Sequence, residues 1–125
     1  MDFAARYTTA WCSQDAAQVA TFFAADGSLT INDNEPAVGR KAITDSVQAF
    51  MSVFPDLQVA MDGVKWKDEL AEYRWTLTGT NTGHGGKGNR VRISGIEVWE
   101  LGSDGLIRSS RGRFDSGEYR RQLAL

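Results

Sequence analysis

At Pro55 the spacing of apolar residues changes from helical to alternating, and the chain divides there into two stretches of different character. Before it, Phe3, Tyr7, Ala10 and Trp11 fall at i, i+4, i+7 and i+8, the stripe of an amphipathic helix. Asp15, with Gln18 three residues on, reads as the N-cap and capping-box partner of a second helix. That helix carries Val19, Phe22 and Phe23 inward, ends at Asp26-Gly27, and gives way to a short alternating strand over 28–31. Residues 32–36 form a polar turn. A third helix follows Gly39-Arg40, with Ile43, Val47, Phe50, Met51 and Phe54 at helical spacing. Pro55 stops it, because a proline pushes the residue before it out of the helical region.

After Pro55 the pattern is that of strands. Leu57, Val59 and Met61 alternate, and the phase shifts at Asp62-Gly63 before Val64 and Trp66, which predicts a bulge at the glycine. Tyr73, Trp75 and Leu77 mark the next strand, and a loop containing Gly83, Gly85, Gly86 and Gly88 leads to another over about 90–101. Ser103-Asp104-Gly105 is a tight turn into a last strand over about 106–114. Asp115 caps a terminal helical turn over 118–123, with Glu118 three residues on. Helices followed by a run of hairpins give an α+β fold with helices packed on one face of an antiparallel sheet. The hollow between the layers is the natural place for a ligand. At 125 residues the chain matches one domain, 1–125.

Composition narrows the function. Six Phe, four Trp and three Tyr can fill a core and also line a cavity. The net charge of −2 is dispersed along the chain, so there is no basic field for nucleic acid or an anionic membrane. The apolar runs are too short to cross a bilayer. An acidic second residue with no apolar segment after it argues against a signal peptide. Cys12 stands alone, excludes an internal disulfide and reads as a small buried hydrophobe, so a cytoplasmic protein is expected. His84 is the one histidine, which rules out a Ser-His-Asp triad or a multi-histidine metal site; no metal and no cofactor are expected.

Several stretches carry a family resemblance. Ala5-Arg6-Tyr7, residues 23–28, residues 39–43 and Ile96-Glu97-Val98-Trp99 follow the order and spacing of SnoaL-like proteins, and residues 75–83 with 90–95 resemble the central hairpin of that family. The resemblance spans nearly the whole chain and places it with the NTF2-like superfamily. It implies a cone-shaped, cystatin-like α+β fold, with three N-terminal helices packed on a strongly curved antiparallel sheet. Isomerases, cyclases, epoxide hydrolases and transport adaptors share that fold, so function has to be argued from the site.

The ketosteroid isomerases resemble this chain most at Tyr7 and Glu97. The resemblance implies that these two donate hydrogen bonds to an enolate oxygen. The general base of that family falls at Ile31 here, which leaves Asp33, two residues on, or a water as the candidate base. Limonene epoxide hydrolases and polyketide cyclases use an Asp in the last strand; the matching position is Gly112, and the Arg-x-Asp pair of the hydrolases has no counterpart near residues 78–80.

Glu97 shares a strand face with Ile93, Gly95, Trp99 and Leu101. Among Trp75, Trp99 and Phe114 it would lose hydration, and its neutral form could donate a hydrogen bond. The alternative is a structural carboxylate held by a Tyr or Arg. Tyr7 is either a core tyrosine or, with Glu97, half of a paired donor site for one oxygen. The expected ligand contacts are Trp11, Ile31, Phe50, Tyr73, Trp75, Trp99, Ser110 and Phe114. His84, between glycines, is a solvated loop residue or a lid over the pocket mouth. Lys87 among glycines invites comparison with a phosphate loop, which fails because a strand follows it.

Arg108, Arg111, Arg113, Arg120 and Arg121 form a local basic run. Arg111 and Arg113 fall opposite Ser110, Gly112 and Phe114 in strand parity, on the convex face through which sheets of this family pair into homodimers. The expected function is isomerisation or aldol-type cyclisation of a small apolar carbonyl compound through an enolate. Two alternatives stand beside it: capture of a hydrophobic small molecule without conversion, and an interaction module whose pocket is filled by side chains.

Overall fold

The computed structural model describes residues 2–82 and 88–123. Helix α1 (Phe3–Cys12) starts at Asp2, whose carboxylate accepts the Ala5 N–H at 2.8 Å, and it buries Ala4, Tyr7, Ala10 and Trp11. Helix α2 (Ala16–Ala20) is capped by Asp15, which accepts from Ala17 N–H at 3.2 Å.

This second helix is shorter than its pattern predicts. Phe22 and Phe23 lie outside it, and Phe23 opens strand β1 (Phe23–Ile31). Pairing with the last strand claims their backbone: Phe22 C=O accepts the Ile107 N–H at 2.9 Å, and Phe23 stands opposite Ile107. Asp26-Gly27 therefore marks a bulge within β1, where the register shifts between Phe23 and Ser28. A side chain at Gly27 would place its Cβ 2.8 Å from the Ile107 carbonyl oxygen, so only glycine fits.

The two-residue strand β2 (Ala37–Val38) leads through Gly39, at φ +90°, into helix α3 (Arg40–Val53), which buries Ile43, Val47 and Met51. Strands β3 (Gln58–Lys67), β4 (Leu70–Asn81), β5 (Asn89–Leu101) and β6 (Ile107–Phe114) complete the sheet, and helix α4 (Ser116–Leu123) ends the described chain. The sheet order is β2-β1-β6-β5-β4-β3; β1 and β6 run parallel and all other neighbours antiparallel. The fold is α+β, with four helices and six strands among the described residues. Helices α1, α2 and α3 precede the four long strands, with β1, which includes the predicted strand over 28–31, and β2 between α2 and α3. The predicted bulge is present, with the β3–β4 register shifting between Met61 and Gly63.

Beneath the helices, Trp99 stacks on Tyr73 at 4.8 Å, and the ring of Tyr7 stands edge-on to both, at 4.9 and 5.5 Å. Such ring pairs add about 0.5–1.5 kcal/mol each beyond the area they bury. Strand β6 ends opposite Gly95, so the first part of β5 has no strand on that side. Gln122 of α4 takes its place: its side-chain oxygen accepts the Arg92 N–H at 2.7 Å and its amide donates to Arg92 C=O at 2.9 Å. Asp115 accepts the Glu118 N–H at 3.0 Å and caps the helix as predicted. Among the described residues no helix is long and apolar enough to cross a membrane.

Candidate functional site

A cavity lies between the sheet and the helices, with about 60 Å³ open to the centres of water-sized molecules. This exceeds the roughly 10–15 Å³ that a single water needs. Its walls are Trp11 of α1, Phe50 of α3 with Phe54 after it, and Tyr119 of α4; Leu29 and Ile31 of β1; Val59 of β3; Tyr73, Trp75 and Leu77 of β4; Ile93 and Glu97 of β5; and Gly112 and Phe114 of β6. Apart from the Glu97 carboxyl, the wall carries no ionisable groups but two tyrosine hydroxyls.

Six of the predicted contacts line this cavity: Trp11, Ile31, Phe50, Tyr73, Trp75 and Phe114. Trp99, Ser110 and Tyr7 do not. All three are fully buried behind Glu97 and turn their polar atoms onto it. Trp99 lies under Tyr73, so it supports the wall from below.

The Glu97 carboxyl is held through one oxygen. Oε1 accepts from Ser110 Oγ at 2.6 Å, from Tyr7 OH at 2.9 Å and from Trp99 Nε1 at 3.1 Å. Among the described residues Oε2 accepts nothing, and no ion pair includes Glu97. The sheet register explains the assembly. Glu97 stands opposite Gly112 on one side and Tyr73 on the other, and Trp99, two residues along the same face, stands opposite Ser110. Burial pushes the Glu97 carboxyl above the ordinary carboxylate range, and the hydrogen bonds from Ser110, Trp99 and Tyr7 oppose that rise. Burial and the neighbouring Glu97 charge push the Tyr7 phenol well up, so it stays protonated as a donor.

An oxygen that accepts three hydrogen bonds is an acceptor in either protonation state, so a proton on Glu97 resides on Oε2. The expected arrangement, with Tyr7 and Glu97 as two donors converging on a ligand oxygen, is therefore corrected: the Tyr7 hydroxyl is committed to Glu97 itself. Asp33 is also displaced from its expected place. Its side chain is 93% exposed and lies 3.5 Å from Arg113. Strand alternation fails there because Asn32 turns the chain at φ 53°. Asn32 then bonds back to β6, its N–H to Gly112 C=O at 2.8 Å and its Oδ1 from Phe114 N–H at 3.0 Å. Arg111 and Arg113 are exposed on the other face of β6, as their parity predicts. His84 and Lys87 lie outside the described residues.

One polar atom of a wall residue escaped the sequence reading. The indole N–H of Trp75 is buried and has no hydrogen-bond partner. Trp75 pairs with Gly95, and its ring lies across that glycine: an added Cβ would collide with Trp75 Cζ2 and stand 2.5 Å from the Arg113 carbonyl oxygen. The signal for it was a tryptophan and a glycine on facing strands, a place where a ring can fold over backbone.

Fold and site together define a protein of α+β type with an apolar cavity and, among the described residues, one buried acid. The sequence profile of the SnoaL-like domain matches residues 4–110, and the chain belongs to that family. Among curated protein sequences none matches significantly. Solved structures are similar throughout. A protein of ketosteroid isomerase-like fold from Catenulispora acidiphila, in complex with trimethylamine, is 15% identical with a TM-score of 0.86, covering 97% of this chain and 91% of that one. A protein from Jannaschia sp. CCS1, provisionally described as a SnoaL-like polyketide cyclase, is 15% identical at 0.79, covering 97% and 91%. The epoxide hydrolase/cyclase-like enzyme SalBIII, with a role in pyran ring formation in salinomycin, is 15% identical at 0.79, covering 91% and 88%. At these identities the likeness is one of fold.

Proposed function

We propose that the cavity binds a small, largely apolar carbonyl compound and that Glu97 transfers a proton on it, as an isomerase or cyclase working through an enolate does. One observation carries this reading: the single carboxyl of the wall is fixed by three donors on one oxygen, which leaves the other for the ligand. In the step, a C–H bond beside the carbonyl breaks and its proton goes to Oε2. The electron pair moves into the carbonyl, and the proton then returns to carbon. Tyr7, Ser110 and Trp99 act as positioning residues. Raised by burial, the carboxylate is a stronger base than a solvated one.

The test is hydrogen–deuterium exchange at the α-carbons of cyclopentanone, followed by NMR in D₂O. Glu97→Gln should lower the protein-catalysed rate by about 10²–10⁴, the usual contribution of a general base. Undiminished exchange would refute the role.

Capture without conversion is the second reading, and the absence of a second carboxyl favours it: Gly112 stands opposite Glu97 and Asp33 lies at the surface. A compound co-purifying with the protein and recovered unchanged after incubation would support it. For assembly, the proposal is a homodimer through the convex face, where Val98 is 39% exposed beside Arg111. Light scattering that gives a monomer mass would refute that contact.

A further inference from the structure

We propose that the indole N–H of Trp75 is the donor that holds the oxygen of the compound bound in the cavity. The inference rests on the carbonyl reading above and supplies the part that Tyr7 was expected to play. Buried polar groups are almost always hydrogen-bonded, and an exception on a residue that lines a cavity calls for an explanation. Among the described residues, Trp75 Nε1 is the one fully buried side-chain nitrogen or oxygen without a partner. The half-buried Tyr119 hydroxyl apart, the other donors nearby are engaged. Tyr7, Ser110 and Trp99 serve Glu97, and the Tyr73 hydroxyl shares a hydrogen bond with Thr8 at 2.5 Å.

Its position suits the role. Tyr73 is directly opposite Glu97 and Trp75 directly opposite Gly95, so Trp75 and Glu97 are diagonal neighbours on one face of adjacent strands. Diagonal neighbours sit roughly 7–8 Å apart, a gap that a compact ligand can bridge. The indole is fixed from two sides: it lies over Gly95, and Phe114 meets it edge-on at 6.2 Å. Its bridging carbon Cε2, bonded to the nitrogen, lies 2.8 Å from where a Gly95 Cβ would stand. The donor is thus held in place before any ligand arrives, which is what stabilisation of a developing oxyanion requires.

The step balances with Trp75 unchanged. As the α-proton moves to Glu97 Oε2, the electron pair collects on the carbonyl oxygen, and the N–H···O bond shortens against the growing charge. The indole proton stays on nitrogen throughout. When Glu97 returns the proton to carbon, the carbonyl reforms and the ligand leaves.

The experiment is a titration of indole-¹⁵N-labelled protein with cyclopentanone, and with cyclopentane as the analogue lacking oxygen. Four indole signals arise from Trp11, Trp66, Trp75 and Trp99, and the one missing in Trp75→Phe identifies Trp75. Cyclopentanone should move the Trp75 N–H downfield, and cyclopentane should not. Trp75→Phe should weaken cyclopentanone about tenfold, the loss of one hydrogen bond, and change cyclopentane by less than about twofold. A Trp75 signal that stays in place while cyclopentanone saturates the cavity overturns the proposal, and the wild-type titration decides this even if the variant fails to fold. Absence of any cyclopentanone binding near its solubility limit overturns it too. The two roles separate cleanly: a moving Trp75 signal with exchange indifferent to Glu97→Gln leaves the donor and removes the base, and the reverse result removes the donor alone.

Discussion

Leucine at position 97 should strongly destabilise the protein, whereas glutamine should not. Leucine takes away the common acceptor of the Tyr7 hydroxyl, the Trp99 indole N–H and the Ser110 hydroxyl, all of which are buried. A buried donor left without a partner costs about 1–3 kcal/mol, so three cost about 3–9 kcal/mol before relaxation. That approaches the whole stability of an ordinary domain, about 5–15 kcal/mol. At roughly 4 °C per kcal/mol for a chain of this size, the melting temperature should fall by at least about 12 °C. Glutamine retains an oxygen in the Oε1 position and removes the charge that burial penalises. The sign with pH follows from the raised carboxyl. Between its unfolded value of 4.5 and its higher folded value the native state binds more protons, so stability present below 4.5 is lost as the pH rises through the folded value. Glu97→Gln abolishes that loss and should match or exceed the wild type at pH 7. Urea denaturation of the three proteins at acid and neutral pH measures this. Leucine and glutamine variants of equal stability would show that the three bonds do not carry the site.

Ser110→Ala and Tyr7→Phe each remove one donor from Glu97, at a cost of about 1.5–3 kcal/mol by denaturation. Because these bonds lower the carboxyl, the acid limb of the exchange–pH profile, where the base loses its proton, should move to higher pH, and further for Ser110, whose opposing effect is the largest; an unmoved limb argues against Glu97 as base. Gly95→Ala should destabilise by about 1–3 kcal/mol and abolish cyclopentanone binding, since its Cβ meets the Arg113 carbonyl and displaces the Trp75 ring. Gln122→Ala should speed amide exchange at Arg92 and cost about 0.5–1.5 kcal/mol, because its side chain is the partner of that backbone. Asp33→Asn should leave the exchange rate unchanged; a marked fall would return Asp33 to the site.

Hydrophobic period alone gives α1, α3, the bulge at Gly63 and the four long strands, because each of them buries one face. It misplaces Phe22 and Phe23, whose positions suit the inner face of a helix and the start of a strand equally well; pairing with Ile107 decides between them. The two-residue β2 and the parallel β1–β6 pairing leave no local signature. At the site, strand parity puts Glu97 and Trp99 on the inward face, but it carries no information on depth. Whether a side chain touches the cavity or stands behind its wall depends on where α1 lies over the sheet. For that reason Trp99 and Ser110, expected as ligand contacts, and Tyr7, expected as a donor to the ligand, stand behind the wall with their polar atoms on Glu97. Asp33 fails for a simpler reason: counting by twos assumes an extended backbone, and Asn32 ends it.

The one-sided tether of Glu97 has a stereochemical consequence. A carboxyl group pinned by three donors cannot spin about its terminal bond, so its two oxygens never exchange places. Whatever hydrogen it delivers to a bound molecule arrives from the point in space at which one was taken, so deuterium acquired from D₂O should enter on the side of the ring from which the proton left.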